Sequence, residues 1–92
     1  RSFRVPFAFV GVDGYDDELG FTGKDMMRSE VVQAMSDVSK EVVVLTDSSK
    51  FGKCGTVRRF ALSQVSRVIT DKNISQEAKE KLEDSQTILT LV

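Results

Sequence analysis

Val42-Val43-Val44-Leu45-Thr46 runs directly into Asp47-Ser48-Ser49-Lys50-Phe51-Gly52. The first stretch is short, rich in β-branched residues and lacks a helical period. It reads as a strand buried on both faces, the pattern of a parallel sheet. The chain then turns polar at once, with a carboxylate, two hydroxyls, an ammonium and a glycine. In open α/β sheets ligands bind beyond the carboxyl ends of the strands. These six residues therefore stand where a small polar ligand is expected. A solvated turn capped by Asp47 or a serine fits the same residues.

Working outward, Phe7 to Val10 is apolar and ends at Gly11, so a buried strand is expected, with Pro6 at its start where a missing N–H is tolerated. Asp13 to Lys24, with Gly14, Gly20 and Gly23, is expected as a polar loop, longer than the roughly 2–6 residues of most βα connections. Disorder is its plain alternative, favoured by Asp16-Asp17-Glu18. Asp25 can cap a helix whose residues Met27, Val31, Ala34, Met35 and Val38 share one face. That helix is expected to end near Ser39-Lys40, with Lys40 suited to the dipole. Val57 to Ala61 fits a short edge strand, or the start of a turn that includes Leu62 to Val65. Val68 to Thr70 reads as a further buried strand. Ser75 caps a second helix through about Asp84, and Ile88 to Val92 is a fourth strand. The alternation predicts an α/β fold: a mostly parallel open sheet of about four strands, two main helices and right-handed crossovers.

Ninety-two residues make one domain, 40% hydrophobic and 29% charged, a globular composition. The net charge of −1 and the lone Arg58-Arg59 pair offer no basic surface for nucleic acid. A single cysteine, Cys54, forbids an internal disulfide and fits a reducing cytosol. It is expected to be partly buried and inert. No apolar run approaches the roughly 20 residues of a membrane span. The absence of histidine excludes Ser-His and Cys-His nucleophile pairs and leaves almost no route to a zinc site. Catalysis would have to rest on Asp, Glu, Lys or Tyr.

Three polar groups follow three strands: Asp13, then Asp47 to Lys50, then Asp71. Parallel strands would bring all three turns to one edge. Carboxylates accept hydrogen bonds from hydroxyls, Lys50 supplies a positive point charge, and Ser49 donates or accepts. Such a set suits a polyol or sugar phosphate. The candidate ligand-binding residues are Asp13, Asp47, Ser49 and Lys50. The plain alternative is an Asp47–Lys50 pair that only holds the turn, and Asp71 is expected to cap one. A phospho-acceptor receiver domain is rejected, because Asp16-Asp17 lie too far along the loop and nothing follows the fourth strand.

Asp-x-Ser-Lys-Phe-Gly after a hydrophobic strand resembles the signature of the C-terminal effector domain of DeoR-family transcriptional repressors. Phe7-Ala8-Phe9-Val10-Gly11 with Asp13-Gly14, then Gly20 and Thr22, then Glu30 with Ala34-Met35, and Val68-Ile69-Thr70-Asp71 resemble the family in the same order. The likeness covers Phe7 to Val92. It implies the effector-sensing part of a sugar-operon repressor, with galactitol utilisation among the candidates, and about half of a sugar-phosphate isomerase-like domain. It implies a phosphorylated sugar or polyol effector, no cofactor and no catalysis. With the first half of that domain lying outside the chain, an unpaired sheet edge and apolar faces are expected, and with them a homo-oligomer; a cytoplasmic location without membrane contact is expected from the lone thiol and the lack of an apolar span. No helix-turn-helix pattern occurs here. The resemblance therefore places DNA binding in an N-terminal domain of a longer parent, outside residues 1–92. A fragment of an isomerase-like enzyme is the alternative.

Overall fold

Four parallel strands carry the molecule. A computed structural model describes residues 5–24, 34, 37, 39–53, 55 and 57–92. Strand β1 is Val5–Gly11, β4 is Ser39–Leu45, β6 is Arg67–Thr70 and β7 is Ile88–Leu91, in sheet order β1-β4-β6-β7. Every neighbouring pair is parallel, with Gly11 beside Leu45, Leu45 beside Ile69 and Ile69 beside Thr90. The expected parallel sheet is therefore present. Its second strand begins three residues earlier than Val42, at Ser39, because β1 offers it a partner from Val5 onward. The residues expected to end the first helix, Ser39 and Lys40, belong to that strand.

The polar loop expected from Asp13 to Lys24 is instead a hairpin of β2 (Gly14–Asp16) and β3 (Gly20–Gly23). Tyr15, Phe21 and Thr22 are buried in it, so disorder is excluded. The Asp16 carboxylate closes its tip by accepting the Glu18 and Leu19 amides at 2.9 and 2.7 Å. The ambiguous segment after Thr56 is strand β5 (Val57–Phe60), antiparallel to β3, which completes a second, three-stranded sheet. Leu62–Gln64 is a 3-10 turn.

Helix α1 (Gln76–Asp84) matches the expected second helix. Ser75 caps it by accepting the Ala78 amide at 3.1 Å. Its far end closes with Thr87 N–H donating to Leu82 and Gln86 N–H donating to Glu83, while Gln86 takes φ of 66°. This is one helix among the described elements, not two. The first expected helix falls on residues outside those described, apart from Ala34 and Asp37, which are helical. Ala34, expected on its buried stripe, is exposed. Cys54 also lies outside the described residues.

The core forms on one face of the parallel sheet. Ala8, Val10, Val42, Val44 and Val68 point there and meet Phe21 and Phe60 of the second sheet and Leu82 of α1. The opposite face carries Phe7 and Phe9, 48% and 60% exposed, with Leu45 and Ile88 exposed beyond them. Topology accounts for the asymmetry. The described parts of the connections, which carry Phe21, Phe60 and Leu82, pack on the core face.

Candidate functional site

Both candidate turns leave the same end of the sheet from adjacent strands, because Gly11 of β1 pairs with Leu45 of β4. Beyond Leu45, Asp47 caps a short 3-10 turn, Ser48–Lys50. Its carboxylate accepts the Ser49 amide at 2.9 Å and also the Ser49 hydroxyl. Hydrogen bonds from the Ser49 hydroxyl and amide hold the Asp47 carboxyl below its ordinary pKa, and the Lys50 charge lowers it further.

Asp71, the weakest candidate from sequence, ties this turn to the next strand. Following β6, its carboxylate accepts the Ser48 amide at 2.6 Å, the Ser48 hydroxyl at 2.8 Å and the Asn73 amide at 3.0 Å. The Ser48 amide and hydroxyl, with Asn73 following, lower its pKa too. Asp71 therefore acts as the cap it was expected to be. Lys50, half-buried at the last turn position, forms no ion pair among the described residues. The Asp47–Lys50 salt bridge of the plain reading is absent, although the two charges still influence each other.

Asp13 sits two residues beyond β1, but its carboxylate engages the hairpin side. It accepts the Lys24 amide at 3.1 Å and lies 3.8 Å from the Arg59 guanidinium of β5. Arg59 is buried and donates to the Gly11 carbonyl at 2.7 Å. Sequence reasoning treated Arg58-Arg59 only as too small a basic pair to bind nucleic acid. The signal that could have separated them is strand alternation, which turns Arg58 outward and Arg59 inward.

After the 3-10 turn, Gly52 takes φ of 93° and donates its N–H to the Tyr15 carbonyl at 3.0 Å. That reversal lays the following segment along the hairpin. The Gly55 amide reaches the Thr22 hydroxyl at 2.8 Å. A Cβ on Gly14 would strike the Lys53 carbonyl. A cavity of about 240 Å³ opens between this hairpin, Phe51 and the start of α1. None of Asp13, Asp47, Ser49 or Lys50 lines it.

Residues 1–72 match the DeoR C terminal sensor domain. The chain belongs to that family. The chain also aligns with part of several transcriptional regulators. An uncharacterized HTH-type transcriptional regulator of Haemophilus influenzae is 30% identical over 92 residues, all of this chain and 36% of the relative. A putative aga operon transcriptional repressor of Escherichia coli O157:H7 is 25% identical over 92 residues, all of this chain and 34% of the relative. The glycerol-3-phosphate regulon repressor of Escherichia coli K12 is 30% identical over 69 residues, 75% of this chain and 27% of the relative. The sensor segment thus spans about a third of the length of the first two relatives. No helix among its described residues is long and apolar enough to cross a membrane.

Proposed function

We propose that this chain is the ligand-sensing part of a sugar-operon transcriptional repressor. Its ligand is a phosphorylated sugar or polyol held at the turns after β1 and β4. The observation that carries the reading is the pairing of those turns at one sheet end, with Lys50 free of any ion pair among the described residues. Lys50 meets the anion. Asp47 and Asp13 accept hydrogen bonds from ligand hydroxyls, and Ser49 exchanges its bond to Asp47 for one to the ligand. In the parent, a DNA-binding domain lies outside these residues, and effector binding shifts the protein away from its operator-bound state. The shift requires different affinities in the two states. The whole protein acts as a cytoplasmic homo-oligomer without catalysing a reaction. The regulators named among its relatives support this over the isomerase-like alternative.

Glycerol 3-phosphate and a hexitol phosphate, titrated into the isotope-labelled chain, test the reading. Saturable shifts centred on Ser49 and Lys50, lost in Lys50→Ala, are expected. Turnover of a sugar phosphate that disappears in the same variant would instead favour the enzyme.

A further inference from the structure

Ser48 opens the turn that ends at Lys50, and a residue from the neighbouring strand holds it there. Strands β4 and β6 are joined near their ends by the Thr46 N–H donating to the Ile69 carbonyl at 3.1 Å. Beyond that bond the two turns meet through the Asp71 side chain. Its Oδ1 accepts the Ser48 amide and its Oδ2 accepts the Ser48 hydroxyl. The Asn73 amide, two residues on, donates to Oδ2 and fixes the carboxylate itself. The turn has little strength of its own. Lys50 N–H donates to the Asp47 carbonyl at 3.2 Å and Phe51 N–H to the Ser48 carbonyl at 3.3 Å, the long bonds of a single 3-10 turn.

We propose that Asp71 is a positioning residue of the effector site: it fixes Ser48, and through Ser48 the backbone that presents Lys50 to a phosphate. The inference rests on the effector reading above. Asp71 is not a ligand contact, because both of its oxygens are engaged by Ser48 and Asn73. Its charge also reaches the site with the wrong sign for an anion. The Ser49 hydroxyl and amide hold the Asp47 carboxyl acidic, and the Asp71 charge works against them. A through-space role and a positioning role therefore predict opposite effects. Removing the carboxylate removes a repulsive charge, which by itself tightens a phosphate. It also frees the Lys50 turn, which then has to be ordered again on binding, and that weakens the phosphate.

The test titrates glycerol 3-phosphate into the labelled 92-residue chain and its variants. Asp71→Ala should weaken binding about three- to tenfold, although a negative charge is gone. Ser48→Ala keeps the amide bond to Asp71 and loses the hydroxyl bond, and should weaken it about two- to threefold. Ser48→Thr restores a hydroxyl and should recover the parent affinity. Ser75→Ala removes the cap of α1, lowering stability without touching the turn, and should leave the affinity unchanged. If Asp71→Ala loses its dispersed amide spectrum, the two Ser48 variants decide alone. Unchanged or tighter binding by Asp71→Ala or Ser48→Ala, no recovery in Ser48→Thr, or an equal loss in Ser75→Ala overturns the positioning role and leaves the effector reading standing. No saturable binding by the parent chain overturns both.

Discussion

Arg59 and Gly23 should behave as one unit, and a double-mutant cycle can test it. The Arg59 side chain is 5% exposed and its guanidinium reaches the Gly11 carbonyl at 2.7 Å and Asp13 at 3.8 Å. A Cβ added to Gly23 would lie 2.5 Å from Arg59 Cζ and 2.6 Å from Nη2, closer than atoms can stay. Gly23→Ala therefore has to expel the guanidinium. Losing a charge-assisted bond costs about 1.5–3 kcal/mol. The Asp13 side chain is 39% exposed, so its lost pairing adds below about 1 kcal/mol. Reduced freedom of the unfolded chain returns about 0.4–1 kcal/mol for Gly→Ala. Gly23→Ala alone should then cost about 0.5–3.5 kcal/mol, and Arg59→Ala, which also removes the buried stem, about 2–4 kcal/mol. In the double variant the new methyl enters vacated space and keeps the same return, so the loss should fall about 0.4–1 kcal/mol below that of Arg59→Ala alone. That return cancels in the cycle, so the coupling equals the lost contacts, about 1.5–4 kcal/mol, well above the roughly 0.5 kcal/mol scatter of independent sites. Urea unfolding of the four proteins with unchanged m-values measures it. A double variant destabilised by the sum of the singles refutes the contact.

In the full-length parent, Lys50→Ala should weaken the effector response about ten- to hundredfold and leave operator affinity intact, read as operator release against effector concentration. An unchanged release curve would return the Asp47 turn to a purely structural role. Asp47 and Asp71 have lowered pKa values in the fold, so their contribution is present above the ordinary carboxylate pKa and lost as pH falls through the folded values. Amide exchange at Ser48 and Ser49 should accelerate below about pH 4 and stay flat from pH 5 to 8, once corrected for intrinsic rates. Gln86→Gly should stabilise the chain by about 1 kcal/mol, because a non-glycine residue holds φ of 66° at the end of α1. The chain should self-associate through the Phe7 and Phe9 face, and Phe9→Lys should shift it toward monomer in sedimentation.

The sheet was legible because its evidence is local. Each strand is a short apolar run ended by a polar turn, and the periods on either side of α1 differ clearly. The hairpin was misread because Asp16-Asp17-Glu18 and three glycines look solvated in one dimension. The acidic run is indeed largely exposed, but the burial of the glycines depends on partners some 34 to 39 residues away, Val57 to Phe60 for Gly20 to Gly23 and Lys53 for Gly14. The same distance hid Arg59, whose neighbours Gly11, Asp13 and Gly23 are contributed by two other strands and the turn between them. In the candidate site, the Asp47 to Lys50 turn was readable as a contiguous motif. The role of Asp71 in holding Ser48 needed β4 and β6 to be neighbours, which no local pattern encodes.

That double hold on the turn bears on how a sensor built this way would work. Ser49 is bound to Asp47 and Ser48 to Asp71, so the backbone around Lys50 is ordered before any ligand arrives. A preordered site loses little affinity to ordering. For the same reason it has little local conformational change to transmit. A ligand shifts an equilibrium only by its difference in affinity between two states. In the proposed repressor, the element that distinguishes those states therefore has to lie beyond the turn. The sheet itself is held in register, with Gly11 beside Leu45, Leu45 beside Ile69 and Ile69 beside Thr90. Among the described residues, the exposed Phe7 and Phe9 face is a surface where packing against another element would change burial substantially. Effector binding at Lys50 should accordingly alter solvent protection on β1 while leaving the Ser48 and Ser49 amides unchanged. Protection that changes only at the turn would place the switch inside the site instead.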